Sequence, residues 1–401
     1  MPQKNTGELK KAILLFAVVS GLLGAANSFG EANYANYFKE VYQVTAAQRG
    51  FIEFPRELPG VLSMFLISAF GMTSDVTIAF LAQILCCIGM AVMGLFSPSY
   101  GMMLFLVFFH SMGQHVFMTI KDAIGMSLAR EGEVGRTLGN FRRWWSFSAT
   151  LGACAVFFGF RFGAFRFGGR VILPFAISAL LVLVSAVLLW KLRGCAPPNK
   201  KKPGHRLVIR RIYLPYYLIT LAFGCQKRIR LVFAPWVVVE LMRRGADTVA
   251  LLTILGSFSA MFAAPLLGRM LDFLGVKKAL VFEGAYMFSV FALFGLLVGC
   301  ADLTSGIFSL LAFLLVILSH LTDQFNIVHS FLVRQLADDP AEITATLSTG
   351  LSLDHVVAVI ASAALGVIWS SFGAQYAFYV SAVSALVQAA VGLFLRGRQT
   401  A

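Results

Sequence analysis

Residues 248–300 read TVALLTILGSFSAMFAAPLLGRMLDFLGVKKALVFEGAYMFSVFALFGLLVGC. Two apolar runs, 248–268 and 279–300, flank a short turn that carries Arg269, Asp272, Lys277 and Lys278. A helix needs about 20 apolar residues to cross the hydrocarbon of a bilayer. Each run has that length, and a basic turn between two such runs is the segment a membrane protein leaves in water. Outward from this pair the same alternation fills the 401-residue chain, which is 58% hydrophobic and only 13% charged. A soluble domain is about 45–50% apolar and about 25% charged. A soluble globule, a disordered chain and a disulfide-stapled module are therefore excluded. An outer-membrane barrel needs alternating polar and apolar residues, whereas these runs are unbroken. The fold class is an all-α membrane protein.

Scanning with the same ruler predicts twelve transmembrane helices, over residues 11–38, 47–71, 76–96, 99–126, 138–160, 170–192, 212–239, 248–268, 279–300, 305–331, 343–370 and 374–395. The charges in the first, second and seventh of these lower their apolarity. Residues 1–20 have the outline of a signal peptide, but the spans that follow argue for a first helix instead. Lys and Arg concentrate in alternate connections, including Lys10, Lys11, Arg130, Arg136, Lys277, Lys278 and Arg334. That asymmetry places both termini on the cytoplasmic face. The longest hydrophilic connection, GCAPPNKKKPGHRLVIR from Gly194, reads as a cytoplasmic linker. It divides the chain into an N-terminal six-helix half (1–193), a linker (194–211) and a C-terminal six-helix half (212–401). The net charge of +14 lies mostly between apolar runs, so it reads as orientation signal and not as a nucleic-acid surface. The cysteines show neither disulfide nor zinc spacing. Short outer loops without an Asn-x-Ser/Thr acceptor fit a bacterial inner membrane.

The two halves echo each other. His110-x-x-x-Gln114 in the fourth run is matched by His320-x-x-x-Gln324 in the tenth. Thr137-Leu138 is matched by Thr346-Leu347, and Gly71-x-x-x-Asp75 by Gly268-x-x-x-Asp272. Matches in the same order point to two parallel repeats related by an axis along the membrane normal. The stretch Gly268-Arg-Met-Leu-Asp272-Phe-Leu-Gly275-Val-Lys277-Lys278 resembles the loop signature of the major facilitator superfamily, and the resemblance extends over essentially the whole chain. The first-half copy keeps Gly71 and Asp75 but lacks the second glycine and the basic residues. The resemblance implies twelve helices in two six-helix halves, secondary transport by alternating access, and a gating role for the signature. Asp272 reads as a helix cap or a partner for a nearby cation.

Charge inside a bilayer is the best functional evidence in the chain. Such a group costs about 2.5–3.5 kcal/mol at the helix centre, so it faces a water-filled cavity or a partner. Asn27, Glu31 and Tyr34 in the first run are spaced to share one helical face. The second run opens Phe51-Ile-Glu53-Phe-Pro55-Arg56-Glu57-Leu-Pro59. Its prolines each remove a backbone donor and bend a helix, and Glu53 is spaced to meet Arg56. The seventh run carries Lys227, Arg228 and Arg230, with Lys227 and Arg230 on a common face. Spans one, two, seven and eight meet near the outer surface in the resembled fold. Glu31, Glu53 or Glu57 is then expected to pair with Lys227, Arg228 or Arg230 when the outer side closes; alternatively those cations bind an anionic substrate, and both can hold, with substrate competing for the same charges.

A second cluster lies toward the inner side: His110, Gln114 and Lys121 in the fourth run, His320, Asp323 and Gln324 in the tenth, Arg142 and Arg143 in the fifth, Asp354 in the eleventh. The resemblance brings these spans together and makes Arg142 or Arg143 against Asp354 a candidate inner gate. Removing a carboxyl from water favours its protonated form, so Glu31 and Asp323 are the candidate proton carriers. No two histidines have the spacing of a helical metal site, and neither metal nor cofactor is expected. Substrate contacts are expected from Asn27, Glu31, Tyr34, Arg56, His110, Gln114, Lys227, Arg230, His320 and Gln324.

The leading function is a proton-coupled symporter of a small organic solute, anionic by the excess of cavity cations. Its partners are that solute, the coupling proton and membrane lipid. No nucleotide-binding GxxxxGK[ST] is present, so direct drive by ATP is not expected. Proton-coupled export is the alternative, although the fifth run lacks the Gly-Pro step of exporters in the resembled family. A membrane sensor or scaffold is the reading from another class. No nucleophile–base pair points to an enzyme.

Overall fold

The structure, a computed structural model, describes residues 6–69, 74–96, 98–129, 134–168, 171–194, 209–337 and 340–395. These are helical throughout, with short connections and no strand among them. Most of the expected linker lies outside the described residues, as does Gly71, and the Asp272 side chain is likewise not described.

The chain divides into two compact units, residues 1–42 with 55–204 and residues 43–54 with 205–401. The division differs from the expected one at residues 43–54, which belong to the second unit although they precede the linker in sequence. The first unit contains α1 (Thr6–Phe29), α2 (Tyr34–Tyr42), most of α3 (Ala46–Ala69), α4 (Asp75–Phe96), α5 (Tyr100–Leu128), α6 (Val134–Arg161) and α7 (Leu173–Arg193). The second contains α8 (Leu214–Arg228), a short α9 (Ala234–Trp236), α10 (Ala246–Cys300), α11 (Gly306–Ser319), α12 (Asn326–Leu336), α13 (Pro340–Phe372) and α14 (Ala374–Phe394). Two π-helical turns, Ile229–Phe233 and Val237–Leu241, flank α9. α10 is two helices joined at Gly275, whose φ of 73° and ψ of 167° leave the helix. Only glycine takes that conformation without strain, which accounts for the second glycine of the signature.

Nine helical segments among the described residues are long and apolar enough to cross a membrane. The expected runs 47–71, 138–160 and 212–239 also fold as helices, but α3 contains Arg49, Glu53, Arg56 and Glu57, α6 contains Arg142 and Arg143, and 212–239 contains Lys227, Arg228 and Arg230. Their polar residues are what removes them from the apolar set. The chain is a multi-pass membrane protein.

Packing follows the rule for helices in lipid, where small residues and interhelical hydrogen bonds replace the hydrophobic effect. On α7, Ser178, Ala179, Ser185 and Ala186 are buried, while Leu180, Leu183 and Val187 face outward. Ser178 Oγ donates to the Ala26 carbonyl at 2.8 Å and Ser28 Oγ to the Ala149 carbonyl at 2.7 Å. The first unit's core joins Phe16, Val19 and Leu23 of α1 to Ala79, Ala82 and Cys86 of α4 and Ile120 and Ile124 of α5. At the α4–α5 crossing a Cβ on Gly113 would overlap the Ala82 carbonyl oxygen. The crossing brings the polar residues of α4 and α5 onto one cavity. Gly113→Ala is expected to force the helices apart at about 1–3 kcal/mol, the usual cost of overpacking. A lowered melting temperature of the purified protein checks this, and an unchanged one refutes it.

Candidate functional site

The first unit contains a cavity of about 200 Å³ between α1, α4, α5, α6 and α7. Its polar lining includes Asn27, Glu31, Gln83, His110, Gln114 and Lys121, set among Leu23, Phe117, Trp145 and Val182. Four of the expected substrate residues of this half, Asn27, Glu31, His110 and Gln114, therefore meet on one hollow. The other two stand beside it. Arg56 Nη2 lies 3.5 Å from Glu31 Oε1, and its guanidinium sits 5.5 Å over the Tyr34 ring. Tyr34 also meets His110 edge-on, with centroids 6.4 Å apart.

The local backbone explains part of this geometry. α1 ends at Phe29, and a 3-10 turn over Glu31–Asn33 leads into α2. The expected continuous stripe Asn27–Glu31–Tyr34 is thus broken at Gly30, yet the turn keeps Glu31 on the cavity. α5 is regular, so His110 and Gln114, one turn apart, share a face. A second cavity, about 280 Å³, is lined by Lys121, Asp122, Phe141, Arg142 and Trp145. Arg142 Nη2 is 3.6 Å from Asp122 Oδ2, and Arg143 donates to Asn140 Oδ1 at 2.7 Å.

In the second unit the cations have acids. Lys227 Nζ donates to Asp354 Oδ2 at 2.8 Å. Arg230 Nη2 is 2.5 Å from Asp323 Oδ2. Arg228 Nη1 is 3.8 Å from Glu53 Oε2, and Arg49 Nη1 donates to Glu53 Oε1 at 2.6 Å. Glu53 thus has cationic partners other than the Arg56 expected from spacing, and Arg56 reaches Glu31. Both members of the expected Arg142–Asp354 gate have other partners in this structure. The π-helical turn beginning at Ile229 widens the helix, and Lys227 and Arg230 reach acids on different elements in place of the common face expected.

The tenth run departs from its first-half counterpart. Between α11 and α12 residues His320–Phe325 form a 3-10 turn. Three residues per turn bring His320 and Asp323 into line and take Gln324 off that face. His320 Nδ1 lies 2.9 Å from the Val316 carbonyl. The Asp323 side chain is 37% exposed beside Arg230, where the sequence reading had a buried acid.

Several pairs escaped the sequence reading because their partners are remote. Glu283 is fully buried, and its Oε1 lies 2.8 Å from His329 Nε2. The Phe223 ring meets that imidazole edge-on at 4.7 Å. Gln226 and Gln388 exchange amide hydrogen bonds at 3.1 and 3.2 Å. Arg210 Nη1 donates to both oxygens of Glu342, at 2.7 and 2.6 Å, and Tyr213 Oη donates to Oε2 at 2.8 Å.

Against known proteins, the sequence matches no protein-family model and no curated protein. Solved structures do match. The nucleoside transporter NupG superposes with a TM-score of 0.74 at 13% identity, covering 95% of this chain and 98% of that one. The chain has the major facilitator fold. A bacterial homolog of the human lysosomal transporter Spinster gives 0.71 at 11% identity, over 97% of each chain. A D-xylose-proton symporter gives 0.68 at 14%, over 97% of this chain and 98% of that one. At such identities the likeness establishes the major facilitator fold and leaves the solute to be argued from the side chains.

Proposed function

We propose that the chain is a secondary active transporter that carries a small organic solute by alternating access, with proton coupling. The observation that carries this reading is the cavity of the first unit. It gathers Glu31, Lys121, His110 and three carboxamides among apolar side chains of membrane helices, where ionisable groups are costly and mark functional sites by default. Matched structures include a proton symporter and a nucleoside transporter, which supports the reading. Both termini are assigned to the cytoplasmic face. Glu53, Glu57, Arg142, Arg143, Arg228, Asp272 and Asp354 are assigned to gating, and Glu31 and Asp323 to proton carriage. Lys227, Arg230, His320 and Gln324 are assigned to the solute path.

An anionic solute is the finer expectation, from the excess of cavity cations; Lys227, Arg228 and Arg230 each have a carboxylate within 3.8 Å, so such a solute would compete with those acids for the same charges. The test is uptake of labelled sugars, nucleobases and carboxylates into proteoliposomes with an imposed pH gradient. Gradient-stimulated accumulation of one class is the expected result. Binding without accumulation would instead support a sensor or scaffold.

Lys227→Ala and Arg230→Ala each leave an acid without its cation. Each is expected to lower uptake about tenfold or more, the equivalent of about 1.4 kcal/mol or more. Uptake per inserted molecule is the measurement. Normal transport by both variants would remove these residues from the mechanism.

A further inference from the structure

The connection between α6 and α7 reads FFGFRFGAFRFGGR from Phe157, and nothing in the transport reading uses it. On α6, Phe147, Leu151, Ala155 and Phe158 follow one another at helical spacing and are all exposed, so they form the face that this helix turns to lipid. Phe162 extends that face by one more turn. Its N–H donates to the Phe158 carbonyl at 2.9 Å, and the two rings stack with centroids 5.9 Å apart. At 79% exposure Phe162 is nearly bare. A ring that open is stable where lipid covers it, and in membrane proteins aromatic side chains concentrate at the boundary between acyl chains and headgroups.

The rest of the turn is pinned to the bundle. Gly163 takes a φ of 74°, a left-handed conformation that glycine adopts without strain. Beyond it the Phe165 N–H returns to the Gly159 carbonyl at 2.9 Å. Phe165 lies so close that a Cβ on Gly159 would overlap its ring. Phe167 is buried, with its ring centroid 5.0 Å from that of Phe160 and 6.0 Å from that of Tyr37. The turn therefore stands at the depth of Phe162, at the edge of the hydrocarbon.

Arg161 and Arg166 flank Phe162 and Gly163, and both are exposed. Neither has an ion-pair or hydrogen-bond partner among the described residues. No Asp or Glu occurs between Glu133 and Glu240 to supply one locally. Arg161 lies in the last turn of α6, where a cation offsets the negative end of the helix dipole, but Arg166 lies past the turn and has no such role. A guanidinium matches a phosphate with two parallel N–H donors. Two unpaired arginines at headgroup depth, beside bare rings, complement a lipid that carries a phosphate and a net negative charge.

We propose that the α6–α7 turn is a binding site for anionic phospholipid, with Arg161 and Arg166 on the phosphate and Phe158 and Phe162 along the acyl chains. A zwitterionic lipid brings its own ammonium beside the phosphate, so it gains less from two cations. The site needs only the bilayer and is independent of what the chain carries.

Phosphatidylglycerol and phosphatidylcholine with the same oleoyl chains are titrated separately into the purified full chain in neutral-detergent micelles. Bound lipid is counted by native mass spectrometry, and the melting temperature is followed in parallel. Phosphatidylglycerol is expected to bind at least about tenfold more tightly, each arginine contributing about fivefold, and to raise the melting temperature more than phosphatidylcholine does. Arg161→Gln/Arg166→Gln is expected to remove that preference. Lys277→Gln/Lys278→Gln, which removes the same charge from the turn inside α10, is expected to keep it. The single arginine variants, each expected to lose about fivefold, decide the matter if the double variant does not fold. Inorganic phosphate is expected not to compete, and displacement of the lipid by it would mark a phosphate site and overturn the lipid assignment. The proposal is also overturned if the two lipids bind the parent equally or not at all, or if the folded arginine variants bind like the parent. Equal losses in the two double variants would reduce the preference to net charge and overturn it as well.

Discussion

Replacing Glu53 with Gln is expected to destabilise the second unit by about 3–5 kcal/mol, the range seen when one member of a buried ion cluster is removed. The Glu53 side chain is fully buried, and the Arg49 and Arg228 side chains around it are nearly so. The amide conserves shape and keeps one hydrogen bond, but it removes a negative charge that these two guanidiniums share. Gln in place of Glu therefore leaves two nearly buried cations with one counter-charge fewer. The melting temperature of the purified protein is expected to drop on the order of ten degrees. Arg49→Met should cost less, because the remaining Glu53–Arg228 pair is neutral overall. Equal melting of Glu53→Gln and the parent would show that the cluster is solvated and contributes little.

Glu31→Gln is expected to abolish stimulation of uptake by a pH gradient while leaving the cavity intact. Glu31 is the carboxylate that lines the first-unit cavity, and Arg56 stands 3.5 Å from it. In the proposed mechanism a proton on Glu31 would weaken its pairing with Arg56 and change the charge of the cavity wall, coupling solute to proton at one place. The coupling is reciprocal by linkage. Uptake with and without the gradient is the measurement, with solute binding as the control. A fall of about tenfold or more in gradient-driven uptake, with binding retained, supports the role. Asp323→Asn is the comparison, and its effect should be smaller, because that side chain is 37% exposed and already faces Arg230. Gradient stimulation that survives Glu31→Gln would move the proton site elsewhere, and the buried Glu283–His329 pair is the next to test.

Much of the first-unit site was legible before any coordinates. Asn27 with Glu31, and His110 with Gln114, are spaced one helical turn apart, and a polar stripe on an apolar helix has to face something polar. That inference needs only the period of the helix and the dielectric of lipid. Gln83 was missed because a single amide in an apolar run, with no polar neighbour a turn away, gives no stripe. Gln324 was misplaced because the same His-x-x-x-Gln spacing reads differently in a 3-10 turn, and the change of helix type is not encoded in the spacing. The π-helical turns around Ala234 were invisible for the same reason. Pairs such as Glu283–His329 and Arg210–Glu342 join residues far apart in sequence, and no local rule connects them.

The sequence by itself determined the class of solvent the chain lives in and the helices that result, because hydrogen-bond satisfaction in lipid leaves an apolar run no alternative to helix. It also determined which side chains are out of place in hydrocarbon. Only the tertiary structure decided which of those groups pair with one another and which line a cavity. Ion pairing acts over a few ångströms between elements distant in the chain, so no local rule puts Asp354 beside Lys227 or Asp323 beside Arg230. Packing likewise gathered Asn27, Gln83 and Gln114 of the first unit around one hollow.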